Sequence, residues 1–139
     1  MGKGEPQICD FGIARIWEKV NGTAIAVTMA SGGNGRYIAT EHIGDATVPA
    51  TMHSDTFSFA MLILECITEE VLFSRIAGDA AIFRTMTTKG QCPPQPGEQD
   101  GKDRISDDLW KLMAGCWTVR PDQRPTMEQV YSFFLHHQI

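Results

Sequence analysis

The residues of this chain with chemistry beyond packing gather in a few short stretches. Asp10 sits in Asp10-Phe11-Gly12, where a carboxylate can attract a hard cation but an Asp-Gly pair around an aromatic residue more often shapes a turn. Glu41 closes the run Gly33-Asn34-Gly35-Arg36-Tyr37-Ile38-Ala39-Thr40-Glu41, and Asp55 lies in Ser54-Asp55-Thr56-Phe57-Ser58-Phe59-Ala60. Arg124 stands in Arg124-Pro125-Thr126, downstream of Cys116-Trp117 and Pro121. Its guanidinium is a planar fork of donors suited to bidentate carboxylate binding. Cys9, Cys66, Cys92 and Cys116 show no C-x-x-C spacing, and no His sits at ligand spacing from a Cys pair, which disfavours a structural zinc site. They read as reduced, mostly buried thiols.

The elements that must position these residues follow from composition and periodicity. A chain of 139 residues, 42% apolar and 21% charged, is one ordinary domain with a core. Twelve Lys and Arg against seventeen Asp and Glu give a net charge of −5, with no basic run, so nucleic acid is not an expected partner. The longest strictly apolar run, residues 59–64, is too short to span a bilayer, and residues 1–7 have no apolar signal region. The expected setting is cytoplasmic, away from membranes.

Residues 7–9 form a short strand candidate, and residues 21–35 hold four of the thirteen glycines and read as a long loop. Ser54 and Asp55 are N-cap types ahead of a segment, residues 57–67, that is apolar nearly all round and interrupted only by Ser58 and Glu65. Such a helix is expected at the centre of a folded unit, with part of its face around residues 57–67 exposed in this chain. Asp79 can cap a helix carrying Ile82, Phe83 and Met86 that ends before Gly90 and Pro93-Pro94. Ser106 can cap one carrying Leu109, Leu112, Met113 and Cys116, flanked by Trp110 and Trp117. Thr126 and Gln129 have capping-box spacing for a last helix with Val130, Phe133 and Phe134 on one face.

Taken in order, the four stretches resemble the second half of a protein kinase domain. Asp10-Phe11-Gly12 is similar to D-F-G, the run to Glu41 to the stretch ending in A-P-E, and residues 54–60 to the S-D-V-Y-S-F-G opening of the large lobe's central helix. Cys116-Trp117 with Pro121 and Arg124-Pro125-Thr126 resembles C-W-x-x-x-P-x-x-R-P-T. The Cys-Trp pair and the Arg36-Tyr37-Ile38-Ala39-Thr40-Glu41 form are most similar to the tyrosine-kinase-like branch, whose members mostly phosphorylate Ser and Thr. The implied fold is mainly α: a large-lobe fragment with a strand over residues 1–9, an activation segment over 10–41, and four or five helices around a central one over 42–139.

The resemblance also implies roles. Asp10 would hold magnesium against ATP phosphates, with Phe11 and Gly12 beside it in the nucleotide site. Thr23, Thr28 and Ser31 become phosphorylation candidates of the activation segment, and Arg36, Tyr37 and Ile38 a substrate-docking loop. Glu41 and Arg124 would form the buried pair tying the activation segment to the lobe. Asp55 would hydrogen-bond catalytic-loop backbone, or simply cap the central helix.

The chain also departs from the family pattern. Thr40 replaces the Pro of A-P-E, Ala60 a usual Gly, and Asn34 a frequent Thr, and the end of the central helix at Thr68-Glu69-Glu70 lacks an expected Gly. The family's Gly-rich loop, strand Lys and H-R-D-L-x-x-x-N do not occur in these residues, and their place is expected upstream of Met1. The parent activity implied is ATP-dependent phosphorylation of protein hydroxyls, with this chain alone inactive. The alternatives are a pseudokinase-type protein-binding module, including self-association through exposed lobe surface, and a truncated duplicate without a role.

Overall fold

The computed structural model describes residues 7–9, 35–43, 48–74, 76–88, 93 and 105–137. Asp10, Phe11, Gly12, Thr23, Thr28, Ser31, Asn34 and Cys92 lie outside the described residues. Within them are four α-helices: α1 (Met52–Thr68), α2 (Asp79–Thr88), α3 (Asp107–Cys116) and α4 (Met127–His136). Two 3-10 turns accompany them, Thr40–His42 before α1 and Pro121–Gln123 between α3 and α4.

Helix α1 begins three residues before the Ser54-Asp55 cap expected from residue type. Its N-cap is Thr51, whose Oγ1 accepts the Ser54 amide at 3.2 Å while the Ser54 Oγ accepts the Thr51 amide at 2.8 Å. Ser54 is thus the third helical residue of a reciprocal capping box, which satisfies two backbone donors that a helix start would otherwise leave orphaned. Asp55 falls in the first turn, exposed, where a negative charge suits the positive end of the helix dipole. Of the three other expected caps two form as read: Ser106 accepts from the Leu109 amide, and Thr126 with Gln129 makes a second capping box. Asp79 is instead the first residue of α2, with the Gly78 carbonyl accepting the Ala81 and Ile82 amides.

Phe57, Ala60, Met61 and Leu64 recur at the i, i+3, i+4, i+7 spacing that makes one helical face. All four are buried, against Leu109, Met113 and Cys116 of α3 and Val130 of α4 in one core cluster. Ala60, where the family pattern has Gly, is 1% exposed, its methyl part of that core. Trp110 and Trp117 meet edge to face at 5.5 Å between centroids, closing one end.

Two expectations change. Residues 7–9 form no strand and are exposed, because a strand needs a neighbour to pair its backbone and none stands beside them among the described residues. Helix α1 keeps part of its surface exposed, as expected: Leu62 is 50% exposed and Cys66 lies in solvent. The thiols are correspondingly not mostly buried, since Cys9 and Cys66 are exposed and Cys116 alone of the described three is inside. Burial pushes the Cys116 thiol up to about 11, which leaves it protonated and inert.

The corrected start of α1 has a direct consequence. Thr51→Ala should lower the chain's stability by about 1 kcal/mol, while Asp55→Ala should change it by less than about 0.5 kcal/mol. Chemical denaturation of the two variants checks this, and the reverse order would return the cap to residues 54–55.

Candidate functional site

The Arg124 side chain has no solvent exposure. Its charge can be tolerated there only if counter-charge and acceptors surround it. They come from three separate segments. Glu41, in the turn Thr40–His42, takes Nη1 on Oε1 at 2.8 Å and Nη2 on Oε2 at 2.6 Å, a bidentate fork. The carbonyl of His53, in the first turn of α1, accepts Nη1 at 3.0 Å, and the carbonyl of Thr118, just past α3, accepts Nε at 2.8 Å. The guanidinium carbon also sits 5.0 Å from the centroid of the Phe57 ring, within cation-π range. Arg124 itself ends the turn Pro121–Gln123 and leads into α4. One side chain therefore fixes the segment at residues 39–43 against α1, α3 and α4.

Two opposing effects act on Glu41. Burial works to raise its carboxyl, and the Arg124 hydrogen bonds, its own backbone amide and the nearby positive charge outweigh burial, so its pKa falls below the ordinary glutamate value. Thr40, where the family pattern has Pro, keeps a buried hydroxyl oxygen with no hydrogen-bond partner among the described residues. Proline would present no such atom, so this departure adds an unsatisfied polar group beside the pair.

The other end of the same segment is tied to the far end of α1. The Tyr37 hydroxyl donates to Glu65 Oε2 at 2.5 Å, the Ser58 hydroxyl donates to the Tyr37 carbonyl at 2.7 Å, and Arg36 Nε donates to the Leu72 carbonyl at 2.8 Å. Burial first, then the Glu65 hydrogen bond and charge, push the Tyr37 phenol up to about 12. Neither Ser58 nor Glu65 was singled out as a site residue from the sequence. The signal was present, since they are the two polar interruptions of an apolar helix seven positions apart, and a buried helix face carries polar groups only where they find partners.

Of the residues expected to act, the structure brings together Glu41 and Arg124, and places Arg36, Tyr37 and Ile38 on the segment running up to them. Asp55 makes no side-chain hydrogen bond among the described residues. Its carboxyl is raised by partial desolvation against the opposing effect of His42. Asp10, Phe11, Gly12 and the hydroxyls of Thr23, Thr28 and Ser31 fall outside the described residues, as stated above.

A family model of the protein kinase domain matches residues 1–135. Mitogen-activated protein kinase kinase 3 of Arabidopsis thaliana is 29% identical over 138 residues, 98% of this chain and 24% of that protein. The human receptor-interacting serine/threonine-protein kinase 1 is 24% identical over 141 residues, 92% of this chain and 20% of its own length. The human proto-oncogene tyrosine-protein kinase ROS is 32% identical over 95 residues, 68% of this chain and 4% of that protein. The chain thus spans a quarter or less of these relatives.

Breaking a buried pair leaves one charge stranded, at about 3–5 kcal/mol, so Arg124→Ala should lower the unfolding midpoint sharply. The lowered Glu41 pKa gives the sign of the acid response. The pair's stabilisation is fully present above the unfolded-state glutamate pKa of about 4.3 and is lost as pH falls through the lower folded value. The acid limb of the stability profile should flatten in Glu41→Gln. At the other end, with Tyr131→Phe leaving Tyr37 as the lone tyrosine, absorbance titration should give a phenol midpoint of about 12. It should fall back toward the ordinary tyrosine value in Glu65→Gln, and an unchanged midpoint would contradict the bond.

Proposed function

The chain belongs to the protein kinase domain family, and we propose that within it these residues are the large-lobe portion of a Ser/Thr-type kinase of the tyrosine-kinase-like branch. The parent activity is ATP-dependent phosphorylation of protein hydroxyls in the cytoplasm, and the chain alone does not turn over. The Glu41 to Arg124 pair carries the reading. It joins the stretch that resembles the end of an activation segment to the stretch that resembles the domain's closing signature, 83 positions apart. The tie at Tyr37 supports it further: Arg36 and Tyr37 are anchored to Leu72 and to α1, as a loop that must present a rigid surface to a protein substrate requires.

This reading places no nucleotide site among the described residues. They hold no group of three or more His, Cys, Asp or Glu placed to bind a metal ion. Their open depression between Tyr37, Ser58, Phe59 and Leu62 has an apolar lining, and the Ser58 hydroxyl there is committed to backbone carbonyls. Asp10 is the residue that resemblance assigns to magnesium; the phosphate-covering loop, strand Lys and catalytic base of the family do not occur in this sequence.

One observation favours a second reading. Leu62, Tyr131 and Leu135 are 50%, 63% and 63% exposed. A pseudokinase-type binding module would use such apolar surface toward a protein partner or a second copy; a truncated duplicate would use none of it.

Calorimetric titration of the purified chain with magnesium-ATP should show at best millimolar affinity. At ligand concentrations near the dissociation constant, linkage then adds only about 0.4 kcal/mol of stability. Saturable micromolar binding that disappears in Asp10→Asn would contradict the inactive reading, and phosphate transfer to a protein would contradict it more strongly. For the second reading, size-exclusion chromatography should show self-association, reduced by Leu62→Glu; a concentration-independent monomer in both proteins would count against it.

A further inference from the structure

The connection out of α1 passes through two non-glycine residues in the left-handed region, Glu69 and Phe73, each at φ 53°. A side chain with a Cβ pays for that conformation in contacts with its own backbone. Glu69 is the C-cap of α1, the position where glycine is the usual solution. Within the turn, the described backbone bonds are short-range: Ser74 to the Val71 carbonyl at 3.1 Å and Ile76 to the Phe73 carbonyl at 2.8 Å.

What holds the turn comes from elsewhere. Leu72, between the two strained residues, is 5% exposed. Its carbonyl accepts Arg36 Nε at 2.8 Å, and its amide points at Glu65 Oε2 at 3.5 Å, the same oxygen that takes the Tyr37 hydroxyl. Backbone strain persists only where surrounding contacts over-determine it. Here those contacts belong to residues 36 and 37 and to the glutamate that residue 37 engages.

We propose that residues 69–74 form a strained clasp held closed by Arg36 and by Glu65 under Tyr37, so that displacement of residues 36–38 opens the turn. The coupling is reciprocal: a change that relaxes the turn steadies residues 36–38. Helix α2, which follows the turn and touches Thr40–His42, is then linked to the same segment from both sides. The clasp does not depend on the chain's catalytic competence, and its test reads no activity.

Amide hydrogen exchange on the 139-residue chain resolves the clasp from global stability. The reporters are the Ser74 and Ile76 amides, and the references are Trp110 in α3 and Val130 in α4, each bonded within its own helix start. Arg36→Ala should speed exchange at the reporters about tenfold, the effect of losing one charge-assisted hydrogen bond, with the references unchanged. Glu69→Gly should slow the reporters, and in the double variant should offset part of the Arg36→Ala effect. Equal acceleration at reporters and references would make Arg36 a general stabiliser and overturn the clasp. So would reporters indifferent to Arg36→Ala, or a Glu69→Gly variant whose reporters do not slow.

Discussion

A guanidinium with no solvent contact must find its counter-charge and its acceptors inside the fold, and the folded chain satisfies Arg124 by bringing three separate segments to it. Glu41 supplies the charge, and the carbonyls of His53 and Thr118 take two further donor positions. None of these partners is near Arg124 in sequence except Thr118, so the contacts cannot form until α1, α3 and the turn before α4 are in place. The core of Phe57, Met61, Met113, Cys116 and Val130 supplies the nondirectional drive for that assembly. The ion pair adds what packing lacks, a single permitted register between the 39–43 segment and the helices.

Through that register the segment acquires its second tether. With Glu41 fixed at one end, Tyr37 reaches Glu65 and Arg36 reaches Leu72 at the other. Residues 36–41 are thus pinned near both ends of α1, at its first turn through His53 and Arg124 and at its last through Glu65. A protein-binding surface set on such a frame loses little conformational freedom on binding. The strain at Glu69 and Phe73 lies where this frame meets the start of the next helix connection.

What could be read from the sequence divides along a physical line. Ser106 and the Thr126 to Gln129 box were legible because caps are local, set by residue type over three or four positions. Thr51 escaped because Ser54 and Asp55 are equally good cap types closer to the apolar run, although Thr51-x-x-Ser54 has reciprocal spacing as well. The strand at residues 7–9 was misread because pairing partners, which a short extended run requires, are not encoded in the run itself. The left-handed Glu69 was signalled only as a missing glycine: the sequence shows what is absent at that cap but not that the backbone keeps the conformation regardless. The Glu41 to Arg124 pair was visible only through family resemblance, since a separation of 83 positions carries no local signal of contact. Ser58 and Glu65 were noticed as interruptions and not followed to the partner that explains both, the Tyr37 main chain and hydroxyl.

The central claim is that Glu41 and Arg124 act as one unit on which the placement of the 39–43 segment depends. A double-mutant cycle in denaturant, with Glu41→Gln, Arg124→Met and the double variant, isolates that unit from the rest of each side chain's packing. The account expects each single variant to lose more than half of what the pair loses, and a coupling of about 2 kcal/mol or more. Additive losses, with coupling near zero, would contradict it.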